Sequence, residues 1–468
     1  MKSINRDILK LAIPSILANI TVPIVGMVDI AVAGHINPFS GEGMTAAAMI
    51  GGIAIGTMLF DLLYWNFGFL RAGTGGLAAQ AYGRKDMKEC SRILTRALSI
   101  AFTCALALIA IQWVFLKAAF LFVDCSDEVR ALATEYFKIR IWAAPATLCL
   151  MAFKGWFIGM QDSVSAMVTD FVVNGMNILL SICFALGLSV GGVTLLAPMG
   201  FAGIAAGTVA AQWTGLLTAV LLLAFRYFKT VFSDFSSSDF KTLFKGGETK
   251  RFFVLNRDLF IRSLCFIAIY IGFTVISARY GDLLLAVSSI LMKLLMVFSY
   301  FTDGFAYAGE AMTGRYIGAK DAPMLRQTVR YTFFWSMSLA AVFMLIYAFA
   351  GEPMLRMMTS DPAVVEAAGE FMPWLLLMPL VGCAAFTWDG IYIGATASVQ
   401  MRDSMLWSLV AFAFVWIAGI SLLNIFDKWT DVYDVMAIHL LMAAYFAHLL
   451  ARTVYLSVKS RSAVMNIC

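Results

Sequence analysis

The sequence predicts an all-α integral membrane protein with twelve transmembrane helices arranged as two pseudo-symmetric six-helix lobes. Three observations carry this. The 468 residues are 61% hydrophobic and 13% charged, against roughly 45–50% and about 25% for a soluble domain. Apolar stretches recur at the length of roughly 20 residues that a helix needs to cross the hydrocarbon core. The second half of the chain also repeats the first.

In order, the spans run Ile8 to Gly34, Ala46 to Leu77, Ile93 to Leu116, Ala131 to Ile158, Val164 to Leu188 and Phe201 to Phe225. The second set runs Leu259 to Ala278, Leu283 to Tyr307, Tyr331 to Phe349, Phe371 to Ile393, Met405 to Ile425 and Val435 to Leu456. Met1 to Lys10 is polar and the apolar segment after it is too long for a signal core, so the first span is expected to remain in the protein. The eight cysteines form no CxxC pair and read as small hydrophobes.

Positive charge falls on alternate loops: Arg84, Lys85, Lys88 and Arg92 after span two, and Arg315, Lys320, Arg326 and Arg330 after span eight. The connection after span six (Arg226, Lys229, Lys241, Lys245, Lys250, Arg251) and the tail (Arg452, Lys459, Arg461) are basic too. Loops His35 to Gly43 and Gly187 to Gly200 hold no Lys or Arg. The basic loops are therefore expected inside, with both termini cytoplasmic, in the cell inner membrane. This asymmetry accounts for the net charge of +5 without a nucleic-acid partner.

Gly83, Lys85 and Asp86 recur as Gly318, Lys320 and Asp321, and Gly155-x-x-Ile158-Gly159 recurs as Gly390-x-x-Ile393-Gly394, all 235 residues later. Ser126, Asp127 and Pro145 recur as Ser360, Asp361 and Pro379 at 234, and Asn5-Arg6-Asp7 as Asn256-Arg257-Asp258 at 251. The first half thus has about sixteen extra residues, expected in the loop after span one. Six spans per repeat send both halves into the membrane in the same direction, a known transporter architecture. The expected domains are lobes 1–226 and 257–468 joined by a cytoplasmic linker, 227–256.

Charges inside spans are costly and mark pathways or sites. Asp29 lies in span one, Asp61 and Arg71 in span two, and Asp303 and Glu310 in span eight. Burying a carboxylate costs roughly 2.5–3.5 kcal/mol on insertion scales, so Asp29 is expected to face protein or a water-filled cavity and to carry a proton. A hydrated helix end is the other reading, since His35 follows six residues later. Asn174, Asn177 and Ser181 stand three and four apart on one face of span five and are expected, with Asp61 and Tyr64, to line a cavity. Asp170 lies on roughly that face and reads as a solvated helix start. Arg71 and Asp303 stand at nearby depths in equivalent spans and could pair across the lobes, the other and favoured reading being local pairing within each lobe. Pro14 and Pro23 can each bend the first span.

Leu11-Ala12-Ile13-Pro14 and Gly26-Met27-Val28-Asp29 with Ala33-Gly34-His35 resemble the first span of the multidrug and toxic compound extrusion family. Tyr64-Trp65-Asn66-Phe67-Gly68-Phe69-Leu70-Arg71-Ala72-Gly73-Thr74-Gly75-Gly76-Leu77, followed by Ala79-Gln80-Ala81-Tyr82-Gly83, resembles the branch typified by DNA-damage-inducible protein F. The resemblance implies a secondary active exporter, not an enzyme, with an acid at Asp29 serving proton coupling and substrate binding and with a bent first helix. The family pattern has Asn followed four residues later by Asp. Here Asn177 is followed by Ser181, which weakens a two-acid relay. The sodium-binding branch uses acids in its second lobe; Glu310 and Asp389 are present but do not match that site, so protons are expected over sodium. No cofactor is implied.

The expected cargo is an organic cation or other amphipathic drug, carried by a monomer in the bilayer. The 27 methionines and 14% aromatic residues suit flat cations. The alternative is a flippase for lipid-linked sugars, which needs several cations in the cavity for a diphosphate. Arg71 and Lys293 are outnumbered by Asp29, Asp61, Asp303 and Glu310. No HExxH, GxSxG or acid-rich prenyl-diphosphate motif points to an enzyme.

Overall fold

Apolar side chains point outward along most helices of the computed structural model, as they must where lipid is the solvent. Phe225, Phe349 and Phe414 are 84%, 86% and 69% exposed. The structure describes residues 2–35, 46–121, 123, 125–190, 193–232, 243–245, 247–359, 361–426 and 433–467. Among them, twelve helical stretches are long and apolar enough to cross a membrane. The extra residues after span one and the serines of the linker (Ser236 to Ser238) lie outside the described residues, as does Ser360.

In the first half the helices are α1 (Lys2–His35), α2 (Ala46–Trp65), α3 (Gly68–Gly83), α4 (Met87–Ala119), α5 (Asp127–Arg140), α6 (Ala144–Gly159), α7 (Ser163–Leu186) and α8 (Phe201–Val231). The second half has α9 (Gly247–Ser277), α10 (Asp282–Gly318), α11 (Ala322–Met358), α12 (Pro362–Gly394), α13 (Ser398–Phe426) and α14 (Tyr433–Ser460). Helix α1 stays helical through Pro14 and Pro23; each proline removes one backbone bond without ending the helix. The loop between α7 and α8 differs from the sequence reading. There the alternation of Leu-Ser-Val and Val-Thr-Leu-Leu pairs β1 (Leu188–Val190) with β2 (Val193–Leu196) as an antiparallel hairpin.

Packing divides the chain into two units, one of residues 17–81 and 86–249 and the other of 1–16, 82–85 and 250–468. Each has its own apolar core. One is built around Phe60, Tyr136, Phe137 and Ile204, the other around Phe298, Tyr347, Phe371 and Leu441.

The repeat reaches down to single backbone angles. Lys85 and Lys320 have φ of 60° and 57°, and Gln161 and Thr396 have φ of 64° and 54°. Each follows a helix end and closes it by the same two bonds, as in Lys85 N–H to Tyr82 O and Asp86 N–H to Ala81 O. Asp86, Asp162 and Asp321 then cap the next helix, accepting from the N–H groups of Glu89, Ser165 and Met324. At the fourth corner Ala397 has no side chain to do this, and Ser398 instead donates to Asp258, 3.1 Å away.

The recurring glycines let helices touch at their backbones. A Cβ on Gly155 would stand 2.1 Å from Arg71 O, and one on Gly390 would stand 2.0 Å from Ala306 O. Gly159 and Gly394 meet Gly75 O and Glu310 O in the same way. These contacts pair Arg71 with Ala306 and Gly75 with Glu310, so the two halves superpose at a shift of 235 and Asp303 corresponds to Gly68. Because the obstacle is main chain, Gly155→Ala and Gly390→Ala should each lower stability by about 3 kcal/mol, the upper end for overpacking. Gly175→Ala, with nothing within 4 Å of its Cβ, is the control. Thermal unfolding in detergent reads the difference, and equal midpoints for all three variants would refute this role for the glycine contacts.

Candidate functional site

A bilayer offers no water to free peptide groups, so backbone that leaves the helix inside a span must line protein or a cavity. The first half does this twice. Span two breaks between α2 and α3, where Asn66 turns its side-chain amide back to Leu62 O at 2.7 Å and Phe67 N–H bonds Tyr64 O. Span four breaks between α5 and α6, where Ile141–Ala143 forms a 3₁₀ turn and Pro145 opens the following helix. The equivalent spans of the second half, α10 and α12, are single helices of 37 and 33 residues.

Ionisable residues gather at these breaks. Arg140, the last residue of α5, donates from Nη1 to the Tyr136 hydroxyl at 3.0 Å. Its guanidinium lies 4.8 Å from the centre of the Phe60 ring and 5.5 Å from that of Tyr136. Asp29, Asp61 and Tyr64 are the other polar groups around this guanidinium. Phe60 stacks on Phe137 at 4.6 Å and tilts against Tyr64 at 5.4 Å, so an aromatic wall backs the charges.

Asp29 is 7% exposed. It lies beside Arg140 and within hydrogen-bonding reach of the Ser181 hydroxyl, and its Oδ1 has no hydrogen-bond partner among the described residues. Asp61 by contrast is exposed. A charged group exposed within a span is expected to face water rather than lipid.

Helix α7 supplies the neutral side of the site. Ser181 donates to Asn177 Oδ1 at 3.1 Å, and Asn177 donates to Thr208 Oγ1 of α8 at 3.3 Å. Asn174 turns instead to Thr21 of α1. Below it Lys154 pairs with Asp170 at 2.8 Å and reaches Asn19 Oδ1 at 3.4 Å. Asp170 is thus half of an intramembrane ion pair, where the sequence suggested a solvated helix start; Lys154, one helix away, was the missing information.

The charges of the second half are arranged otherwise. Asp389 of α12 takes the Nη2 groups of both Arg262 (α9) and Arg452 (α14) on one oxygen, Oδ2. Asp303 is the acidic charge felt by Arg452 besides this contact, and Phe386 lies 5.9 Å under the guanidinium. Asp303 therefore has a charge neighbour in its own unit. Glu310 is fully buried on α10. His439 accepts from Trp374 Nε1 at 2.9 Å and His448 Nδ1 lies 2.6 Å from Tyr445 O, both packed within α14. No group of three or more His, Cys, Asp or Glu that could hold a metal is present among the described residues.

Sequence reasoning expected Asp29 to couple protons and Asp61, Tyr64, Asn174, Asn177 and Ser181 to line a cavity, and passed over Arg140; of these, Asn174 turns away to Thr21. The only signal was an arginine one helical turn after a tyrosine at the point where span four becomes apolar.

The family model MatE matches residues 14–183 and 259–417, one stretch in each half. The chain is 32% identical over 413 residues to DNA damage-inducible protein F of Escherichia coli K12, covering 88% of this chain and 85% of that protein. It is 23% identical over 474 residues to Protein DETOXIFICATION 44, chloroplastic, of Arabidopsis thaliana, covering 94% and 82%. A solved structure described as the outward-facing conformation of a multidrug resistance MATE family transporter of the MOP superfamily shares the fold, with a TM-score of 0.80 over 98% of this chain and 96% of that one at 14% identity. The chain belongs to the MatE family, and is a multi-pass membrane transporter rather than an enzyme.

Proposed function

We propose that this transporter exports organic cations or other amphipathic toxins in exchange for protons. The observation that carries the reading is the burial of Asp29 inside a span, beside the broken spans two and four and with one carboxylate oxygen left without a hydrogen-bond partner among the described residues. A carboxyl in that position, besides the guanidinium at its side, can take up a proton or face a cationic cargo, and it cannot do both at once. Competition for one group is the coupling that antiport needs, because each ligand then lowers the affinity for the other. Protons suit the site better than sodium. A sodium ion needs several oxygens, whereas Asp29 has Ser181 on one side and a guanidinium on the other. One unit contains the whole cluster, so a monomer suffices.

Asp29→Asn keeps shape and hydrogen bonding but cannot exchange a proton. The variant should reach the membrane at normal levels and fail to build a drug gradient in inside-out vesicles, while wild-type vesicles respond to an imposed pH gradient and not to a sodium gradient. Wild-type accumulation by Asp29→Asn with unchanged pH dependence would remove Asp29 from the mechanism.

The basic loops support a location in the cell inner membrane with both termini in the cytoplasm. In a cysteine-free background, Lys229→Cys and Lys459→Cys should react with a membrane-impermeant maleimide only after cells are opened, whereas Met199→Cys, in the loop after β2, should react in intact cells. Labelling of Lys229→Cys from outside would invert the topology.

A further inference from the structure

We propose that the cleft between α11 and α12 is a binding site for a membrane phospholipid with an ethanolamine headgroup, its phosphate on Arg356 and its ammonium on Glu366. The proposal goes beyond the export reading and stands without it.

The cleft has a volume of about 630 Å³, within the range of roughly 300–1,000 Å³ of small-molecule sites and far above the voids of a packed interior. Polarity changes along its length. The charged lining residues Glu352, Arg356 and Glu366 lie within about 9 Å of the helix ends at Met358 and Pro362, at a rise of about 1.5 Å per residue. Tyr347 and Leu376, the lining residues furthest along each helix, stand about 16 to 21 Å from those ends. The wall between is apolar, with Leu355 and Met372, and the Tyr347 hydroxyl is already bonded to Leu294 O at 2.7 Å. A water-soluble ligand would find no side-chain partner below the rim, whereas an acyl chain needs none. Around the cleft the surface faces lipid: Phe349 and Met357 on α11 and Leu377 on α12 are exposed.

The rim selects the headgroup. Arg356 sends both Nε and Nη2 to Glu352 Oε1, at 3.1 and 2.8 Å, and its Nη1 makes no hydrogen bond among the described residues. A guanidinium so held is a ready partner for phosphate. The Glu366 carboxylate, on the α12 side, makes no ion pair or hydrogen bond among the described residues, and the exposed acids Asp361 and Glu370 flank it in sequence. A primary ammonium donates to such an acid. A choline has no N–H to give, and a lipid of net negative charge meets carboxylates. Helix packing does not demand these charges, because 234 residues earlier Ala118, Phe122 and Leu132 stand in the places of Glu352, Arg356 and Glu366. With the orientation proposed above, the cleft opens to the outer leaflet.

Photolabelling of the full chain tests this. The protein would be placed in nanodiscs of equal parts phosphatidylethanolamine, phosphatidylcholine and phosphatidylglycerol, doped with one of the three lipids carrying a diazirine in its acyl chain, and adducts located by peptide mass spectrometry. The ethanolamine probe should label residues 347–376 about tenfold more than either other probe, the effect of one charge-assisted hydrogen bond, while other lipid-facing segments are labelled alike by all three. Nothing stands within 4 Å of a Cβ at Gly369, which lines the cleft, so Gly369→Leu should fold and lose the adducts. Glu366→Gln should bring the ethanolamine and choline probes to equal labelling, and Arg356→Gln should lower both.

Equal labelling of 347–376 by the three probes, a preference for the glycerol lipid, or an unchanged probe ratio in Glu366→Gln would each overturn the proposal. So would adducts that persist in folded Gly369→Leu; should that variant fail to fold, the conservative change at the exposed Glu366 decides. Displacement of the probe by ethidium, with adducts elsewhere unchanged, would assign the cleft to cargo and overturn the proposal too. None of these readouts measures transport, so failure of the export reading leaves them standing.

Discussion

A bilayer cannot hydrogen-bond a peptide group, and the organisation of this protein follows from that constraint. Long uninterrupted helices meet it within each segment, which is why spans such as α10, α11 and α12 run 33 to 37 residues without a break. Each helix end leaves carbonyls to satisfy, and the four left-handed corners at Lys85, Gln161, Lys320 and Thr396 do so with the same pair of bonds. Departures from helix inside the membrane are then informative. They occur in spans two and four, beside Asp61, Tyr64 and Arg140.

The two halves show how a duplicated scaffold separates packing from chemistry. Contacts that set helix spacing are kept: Gly155 on Arg71 O matches Gly390 on Ala306 O, residue for residue at a shift of 235. The charged side chains inside spans two and eight are not kept. Arg71 has Ala306 as its counterpart, Glu310 has Gly75, and Asp303 has Gly68. Backbone-to-backbone approach tolerates no Cβ, so those positions are locked by sterics. Positions that face a cavity carry no such restriction and are free to acquire different charges in each half.

Much of this was legible in the sequence, for physical reasons. Span number follows from hydropathy because lipid imposes it on every residue of a span. The repeat was visible through Gly155-x-x-Ile158-Gly159 because close backbone contact admits only glycine. Asp29 stood out because a lone acid in an apolar stretch has few explanations. What stayed hidden depends on partners in three dimensions. Hydropathy averages over the Asn66–Phe67 break and the Ile141–Ala143 turn, since both are flanked by apolar residues. Arg140 reads as one more basic residue until α5 brings it against α1 and α2, and Asp170 reads as a helix start until α6 brings Lys154 to it. The small hairpin after α7 was overlooked because seven strand residues are too few to stand out among helices.

The distribution of charge also says why the two halves need not work alike. In the second half Asp389 holds two arginines on a single oxygen, and Asp303 lies near one of them. Two guanidiniums and two carboxylates cancel, and each positive group already sits beside a negative one. Such a chain ties α9, α10, α12 and α14 together and offers little to an incoming ion. In the first half Asp29, Asp61 and Arg140 gather instead at the breaks of spans two and four, beside the neutral side chains of α7. Function is thus expected to reside beside the broken spans of the first half, and mechanical support in the linked ion pairs of the second.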